Sequence, residues 1–154
     1  MPQTEITLAF GDGEYLFRLG LAQIAEIQTK TGTGIGALYA RLLKGRYVLG
    51  DGRSVGNAAE AEFYLADIIE VLRQGLIGGA VGVVDGAAVT VTPIMAQRLV
   101  ATYGPPARPV AEAWTVAVAV TSALIEGYEP PKAPPAPGAG ATPTKAASRS
   151  RKRL

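Results

Sequence analysis

Neither cysteine nor histidine occurs among the 154 residues. That absence limits the fold more than any other property of the chain. No disulfide can staple it, and the usual zinc cages of thiolate and imidazole cannot form. The folded state must therefore be held chiefly by buried apolar surface. With 154 residues, 48% of them hydrophobic, there is material for one domain with a real core. Function is limited by the same absence. Histidine is the usual proton shuttle near neutral pH, and the cysteine thiolate is a common nucleophile. Ser54, Ser122, Ser148 and Ser150 have no histidine base and no nucleophile-elbow setting. No enzyme and no cofactor are expected.

The net charge of +2 hides a split. Residues 1–128 carry nine Lys/Arg against twelve Asp/Glu, and residues 129–154 carry six against one. The first segment is thus acidic and the second strongly basic. From Pro130 onward, alanine and proline dominate and Leu154 is the single aliphatic residue larger than alanine. Such a stretch cannot bury enough apolar area to offset ordering. The expected division is a folded domain over 1–128 and a disordered, Pro/Ala-rich tail over 129–154. Residues 1–10 do not read as a signal peptide. The longest apolar stretches, 76–91 and 110–125, are broken by glycines or polar residues, so no membrane span is expected. A cytoplasmic protein is expected.

Ile6, Leu8 and Phe10, then Tyr15, Phe17 and Leu19, alternate on either side of Gly11-Asp12-Gly13, which predicts a β-hairpin. Leu21, Ile24, Ala25 and Ile27 predict a helix over 21–31 that stops at Gly32. Ile35, Leu38, Tyr39, Leu42 and Leu43 form the apolar stripe of a second helix ending at Gly45. Asn57 and Glu60 have capping-box spacing and predict a third helix running to about Gln74. On it Ala61, Leu65, Ile68, Ile69 and Leu72 should face inward, and Glu62, Asp67, Glu70 and Arg73 should face water. A glycine-rich passage then begins at Gly75. A second short hairpin is possible near 83–91 around Asp85-Gly86. Thr92-Pro93 opens a helix that ends at Gly104, with Ile94, Met95 and Leu99 on one side. Pro109 opens the last, buried through Val110, Trp114, Ala117, Val120, Thr121 and Leu124. The fold class is α+β, mainly α: an N-terminal hairpin followed by a small bundle of about five helices.

Candidate sites are few. Gly32, Gly34 and Gly36 lack the lysine and the preceding strand of phosphate loops, and read as an inter-helix turn. Leu76-Ile77-Gly78-Gly79 reads first as a helix end, with close backbone approach to a partner as the alternative. Asp12, Glu14, Asp51, Asp67 and Glu70 do not gather the oxygen ligands that hard cations need, and read as solvated. Ile35, Leu38, Tyr39, Leu42 and Trp114 read first as core. They are also the candidate partner-binding residues, because small helical bodies often keep an exposed groove. Lys145, Arg149, Arg151, Lys152 and Arg153 form a basic cluster. It could touch phosphates, but no aromatic residues are interleaved to stack on bases, so nucleic acid is disfavoured as a partner.

Several segments together carry a family resemblance. They are Tyr15-Leu16-Phe17-Arg18-Leu19, the helix from Leu21 to Ile27, the helix from Ile35 to Lys44, and Ile68–Gln74 running into Gly75-Leu76-Ile77-Gly78-Gly79. Arg98-Leu99-Val100, Arg108–Ala113 and Ala123–Tyr128 complete the set. Over about residues 4–130 the chain resembles the small tail proteins of gene transfer agents and tailed phages. These are described as tail assembly chaperones and sometimes labelled tail tube proteins. The extended passage 81–91 and the basic tail depart from that pattern. The resemblance implies a non-catalytic assembly factor that keeps the tape-measure protein soluble. Tail tube subunits are a possible further partner, and a homo-oligomer is also possible. The alternatives are a structural tail tube or minor tail component, and an accessory protein that binds nucleic acid through its tail.

Overall fold

The computed structural model describes residues 2–50 and 53–131. Two antiparallel hairpins build its main sheet. Strands β1 (Glu5–Phe10) and β2 (Gly13–Arg18) pair in register from Glu5 opposite Arg18 to Phe10 opposite Gly13. Gly11, at φ 63°, opens their two-residue turn, a backbone setting that glycine adopts without steric cost. Strands β5 (Val81–Val84) and β6 (Ala87–Thr90) form the second hairpin. Asp85 and Gly86 both have positive φ, as a type I′ turn requires. β5 pairs with β2, so the strand order is β1-β2-β5-β6. The hairpin near 83–91 is thus present, and it belongs to the same sheet as the first.

Between the hairpins lie α1 (Leu21–Thr31), α2 (Ile35–Leu43), a small hairpin of β3 (Arg46–Val48) and β4 (Ser54–Gly56), and α3 (Leu65–Gly79). After β6 come α4 (Pro93–Tyr103) and α5 (Val110–Ile125). Helices α3 and α5 pack against β2 and β1, and α3 also meets α1, α4 and α5. The core fills this layer with Tyr15 and Phe17 from the sheet, Ile68, Leu72 and Leu76 from α3, and Trp114, Ala117 and Val120 from α5. Gln3 and Tyr128 exchange two backbone hydrogen bonds, 2.9 and 2.8 Å, and tie the two ends of the described chain together. The α+β class, the five helices and the N-terminal hairpin agree with the sequence reading.

The third helix differs from expectation at both ends. Asn57 accepts from the Ala59 N–H, but the helix it opens is a single 3-10 turn, Ala58–Glu60. Residues 61–64 are not helical, and α3 starts only at Leu65. Packing overrides the local cap here. Phe63 lies 4.9 Å from the Trp114 ring centre, and the Arg41 guanidinium lies 4.2 Å over Tyr64. At the other end, Gly75, Gly78 and Gly79 are helical rather than loop. A Cβ on Gly78 or Gly79 would collide with the carbonyl oxygens of Arg18 and Leu16. The glycines let the helix end press against the β2 backbone, so the close approach is made within the chain.

Other expectations fail for similar reasons. Asp67 and Glu70, expected in water, are 1% and 7% exposed. Arg41 donates to both Asp67 oxygens, and Gln74 and Arg73 donate to Glu70. Leu65, expected inside, is exposed, as are Leu21, Ala25 and Ile94 on the apolar sides of their helices. The hairpin β3–β4 had no counterpart in the sequence reading. Its signal was present, since Gly50-Asp51-Gly52 repeats the Gly-Asp-Gly of the first turn between Tyr47-Val48-Leu49 and Ser54-Val55.

Candidate interaction surface

Helices α2 and α5 meet side by side, and the β3–β4 hairpin leans on the same end of α5. Gly56 makes that contact close, because a Cβ there would strike the Trp114 ring. A groove of ≈ 360 Å³ is left between the three elements. Leu43, Val118 and Ala119 supply its apolar part, and Tyr39, Ser54, Thr115 and Ser122 bring hydroxyls to it. The Tyr39 and Ser122 hydroxyls lie 3.2 Å apart and bridge α2 to α5.

Arg46 is the cation of this groove. Its Nη2 donates to Ser54 Oγ at 3.0 Å and its Nη1 to Thr115 Oγ1 at 3.3 Å. The guanidinium carbon sits 4.8 Å over the Trp114 ring, within cation–π range. Nε is buried and has no hydrogen-bond partner among the described residues. Among the described residues no carboxylate pairs with Arg46, whereas Arg41 has Asp67 and Arg73 has Glu70. Burial pulls the Arg46 pKa below its ordinary value, because removing water disfavours the charged form. Among the described residues, this partly desolvated positive charge is met by hydroxyls and a π face.

A second surface is the sheet face turned away from the helices. Alternation puts Thr7, Ala9, Glu14, Leu16, Val81, Val83 and Ala88 there. A solvated antiparallel face is ordinarily polar. Val81 and Val83 are nonetheless 49% and 47% exposed, beside a shallow cleft of ≈ 270 Å³. The edge strand β6 carries no charged residue to discourage pairing.

Over residues 3–127 the chain matches the family model described as phage tail tube protein, GTA-gp10. It belongs to that family. Its role is accordingly related to the tail of a phage or gene transfer agent. Among curated proteins and solved structures, none matches it.

In this tail-family protein the sequence-predicted partner residues are mostly core. Leu38 and Leu42 are 0% exposed and Trp114 is 1% exposed, so they present no surface to a partner. Their helical periodicity marked a buried face, and the folded chain itself covers it. Ile35 and Tyr39 are half-buried, and only Tyr39 reaches the groove. The two helices singled out from sequence do flank the groove, but through Leu43, Thr115, Val118 and Ala119, which sequence reasoning missed. Leu43 stood in the apolar stripe, yet nothing local distinguished it from its buried neighbours. Lys145, Arg149, Arg151, Lys152 and Arg153 lie outside the described residues. Among the described residues no helix is long and apolar enough to cross a membrane.

Proposed function

We propose that this tail-family protein is a non-catalytic assembly chaperone that binds the tape-measure protein and keeps it soluble during tail morphogenesis. The observation that carries this reading is the open α2–α5 groove, which joins an apolar floor to a cation lacking an acidic partner in the described chain. Long helical client proteins expose apolar stripes, and a groove between two helices covers such a stripe by helix-in-groove packing. A holder must also let go, which favours a small and partly polar contact over a large apolar one. The hydroxyl-lined rim of the groove fits that requirement. Chemistry on a bound substrate is not part of the proposal, since the sequence lacks histidine and cysteine.

A second reading, a structural tail tube or minor tail component, is supported by the family description and by the uncharged edge of β6. Mass spectrometry of purified particles separates the two. A chaperone is expected to be absent from mature particles, and a tube subunit to be abundant. For the first reading, the tape-measure protein should remain soluble on co-expression with this chain and precipitate without it. Equal solubility in both cases would reject it.

A further inference from the structure

Arg46 is held in a setting that lacks one component. Its two Nη atoms reach neutral hydroxyls, its Nε is buried and has no partner among the described residues, and its guanidinium carbon sits over the Trp114 ring. Each Nη carries a second N–H beyond the one it gives to a hydroxyl, and a guanidinium anchored over an indole at a groove is suited to a carboxylate, which can accept two parallel N–H bonds. Apolar surface from Leu43, Val118 and Ala119 lines the same groove. We propose that the groove docks a client helix through an apolar stripe interrupted by one Glu or Asp, whose carboxylate pairs with Arg46.

The inference rests on the client-binding reading and adds to it the chemistry of the docked segment. Charge complementarity selects the occupant. An all-apolar helix would bury the Arg46 edge without a partner, which costs free energy, and a basic helix would add repulsion. Thr115 supplies a check from within the chain. It is exposed, lies one helical residue beyond Trp114, and already touches the guanidinium. A glutamate at this position brings the missing carboxylate in cis and closes the site.

The test uses the full chain and fluorescent amphipathic peptides of about four helical turns, with a leucine stripe and either Glu or Gln at its centre. Wild type is expected to bind the Glu peptide about tenfold or more tightly than the Gln peptide. Arg46→Gln and Thr115→Glu should each erase that preference. Thr115→Glu leaves Arg46 on Trp114, so it answers the question even where Arg46→Gln weakens the fold. Equal affinity for the two peptides in wild type, or a preference surviving both substitutions, would overturn the inference. The tape-measure protein keeps the two ideas apart. Its co-purification with wild type and both variants alike rejects the docking site and leaves the chaperone reading standing. Its failure to co-purify with wild type rejects the chaperone reading itself.

Discussion

The indole N–H of Trp114 donates to the backbone carbonyl of Leu42 at 2.7 Å, across 72 residues of sequence. The bond ties the middle of the α2–α5 contact to the last turn of α2. It also fixes the ring on which Arg46 rests and against which Phe63 packs. Trp114→Phe is expected to keep most of the packing but leave that carbonyl without its donor, costing about 1–3 kcal/mol. Trp114→Ala should cost about 3–5 kcal/mol through the cavity it opens. Urea denaturation checks both values. A Trp114→Ala protein as stable as wild type would show that this residue is not central to the core.

Gly79 and Gly36 are both helical glycines, yet they should respond in opposite directions to alanine. Gly79 packs on the β2 backbone, where a Cβ would meet the Leu16 carbonyl oxygen. Gly79→Ala must push α3 away from the sheet, and overpacking of this kind costs about 1–3 kcal/mol or more. On α2, a Cβ added to Gly36 would meet nothing within 4 Å, and the φ of this residue is not in the left-handed region. Gly36→Ala is expected to stabilise by about 0.5 kcal/mol through helix propensity and reduced unfolded-chain entropy. Thermal melts of the two variants should shift to opposite sides of wild type.

Arg41 donates to Asp67 from Nε at 2.6 Å and from Nη2 at 2.9 Å. The pair is asymmetric, because the Asp67 side chain is 1% exposed and that of Arg41 is 24% exposed. Arg41→Ala strands a buried carboxylate and is expected to cost about 3–5 kcal/mol. Asp67→Ala leaves a cation that can turn towards water, so it should cost less. Replacing both with apolar residues of similar volume, Arg41→Met with Asp67→Leu, should recover much of the loss. Chemical denaturation of the three variants tests the order.

Tyr15 is fully buried and donates from its hydroxyl to Asp12 Oδ1 at 2.5 Å. Burial, and next the bond to Asp12, raise its pKa well above the ordinary tyrosine value. The folded state therefore keeps this proton where the unfolded chain releases it. The resulting stabilisation is complete below about pH 10, the unfolded value, and is lost as pH rises from there towards the folded value. Stability should fall above about pH 10 with a slope approaching 1.4 kcal/mol per unit from this group. Tyr15→Phe should show a shallower alkaline decline, measured by denaturant unfolding across that range. Parallel declines in the two proteins would remove Tyr15 as the cause.

Local chemistry made much of the fold legible. Alternation around Gly11-Asp12 and around Asp85-Gly86 marked both hairpins of the main sheet, and Thr92-Pro93 marked the start of α4, where Thr92 accepts from the Met95 N–H. Glycines at 32 and 34 marked the turn between α1 and α2. These signals lie within a few residues of what they specify, so sequence alone determined them. What it could not determine were outcomes decided between distant segments. Phe63 meeting Trp114 suppressed the helix that Asn57 would have opened, and Gly78 and Gly79 meeting β2 extended α3 past its apparent end. Asp67 became buried because Arg41 reached it, and Arg46 came to rest over Trp114 because β3–β4 folded onto α5. A period of 3.6 residues says which side of a helix is apolar, but not how much of that side the rest of the chain covers. The tertiary structure alone settled that, burying Leu38, Leu42 and Trp114 and leaving Arg46 at the open groove beside them.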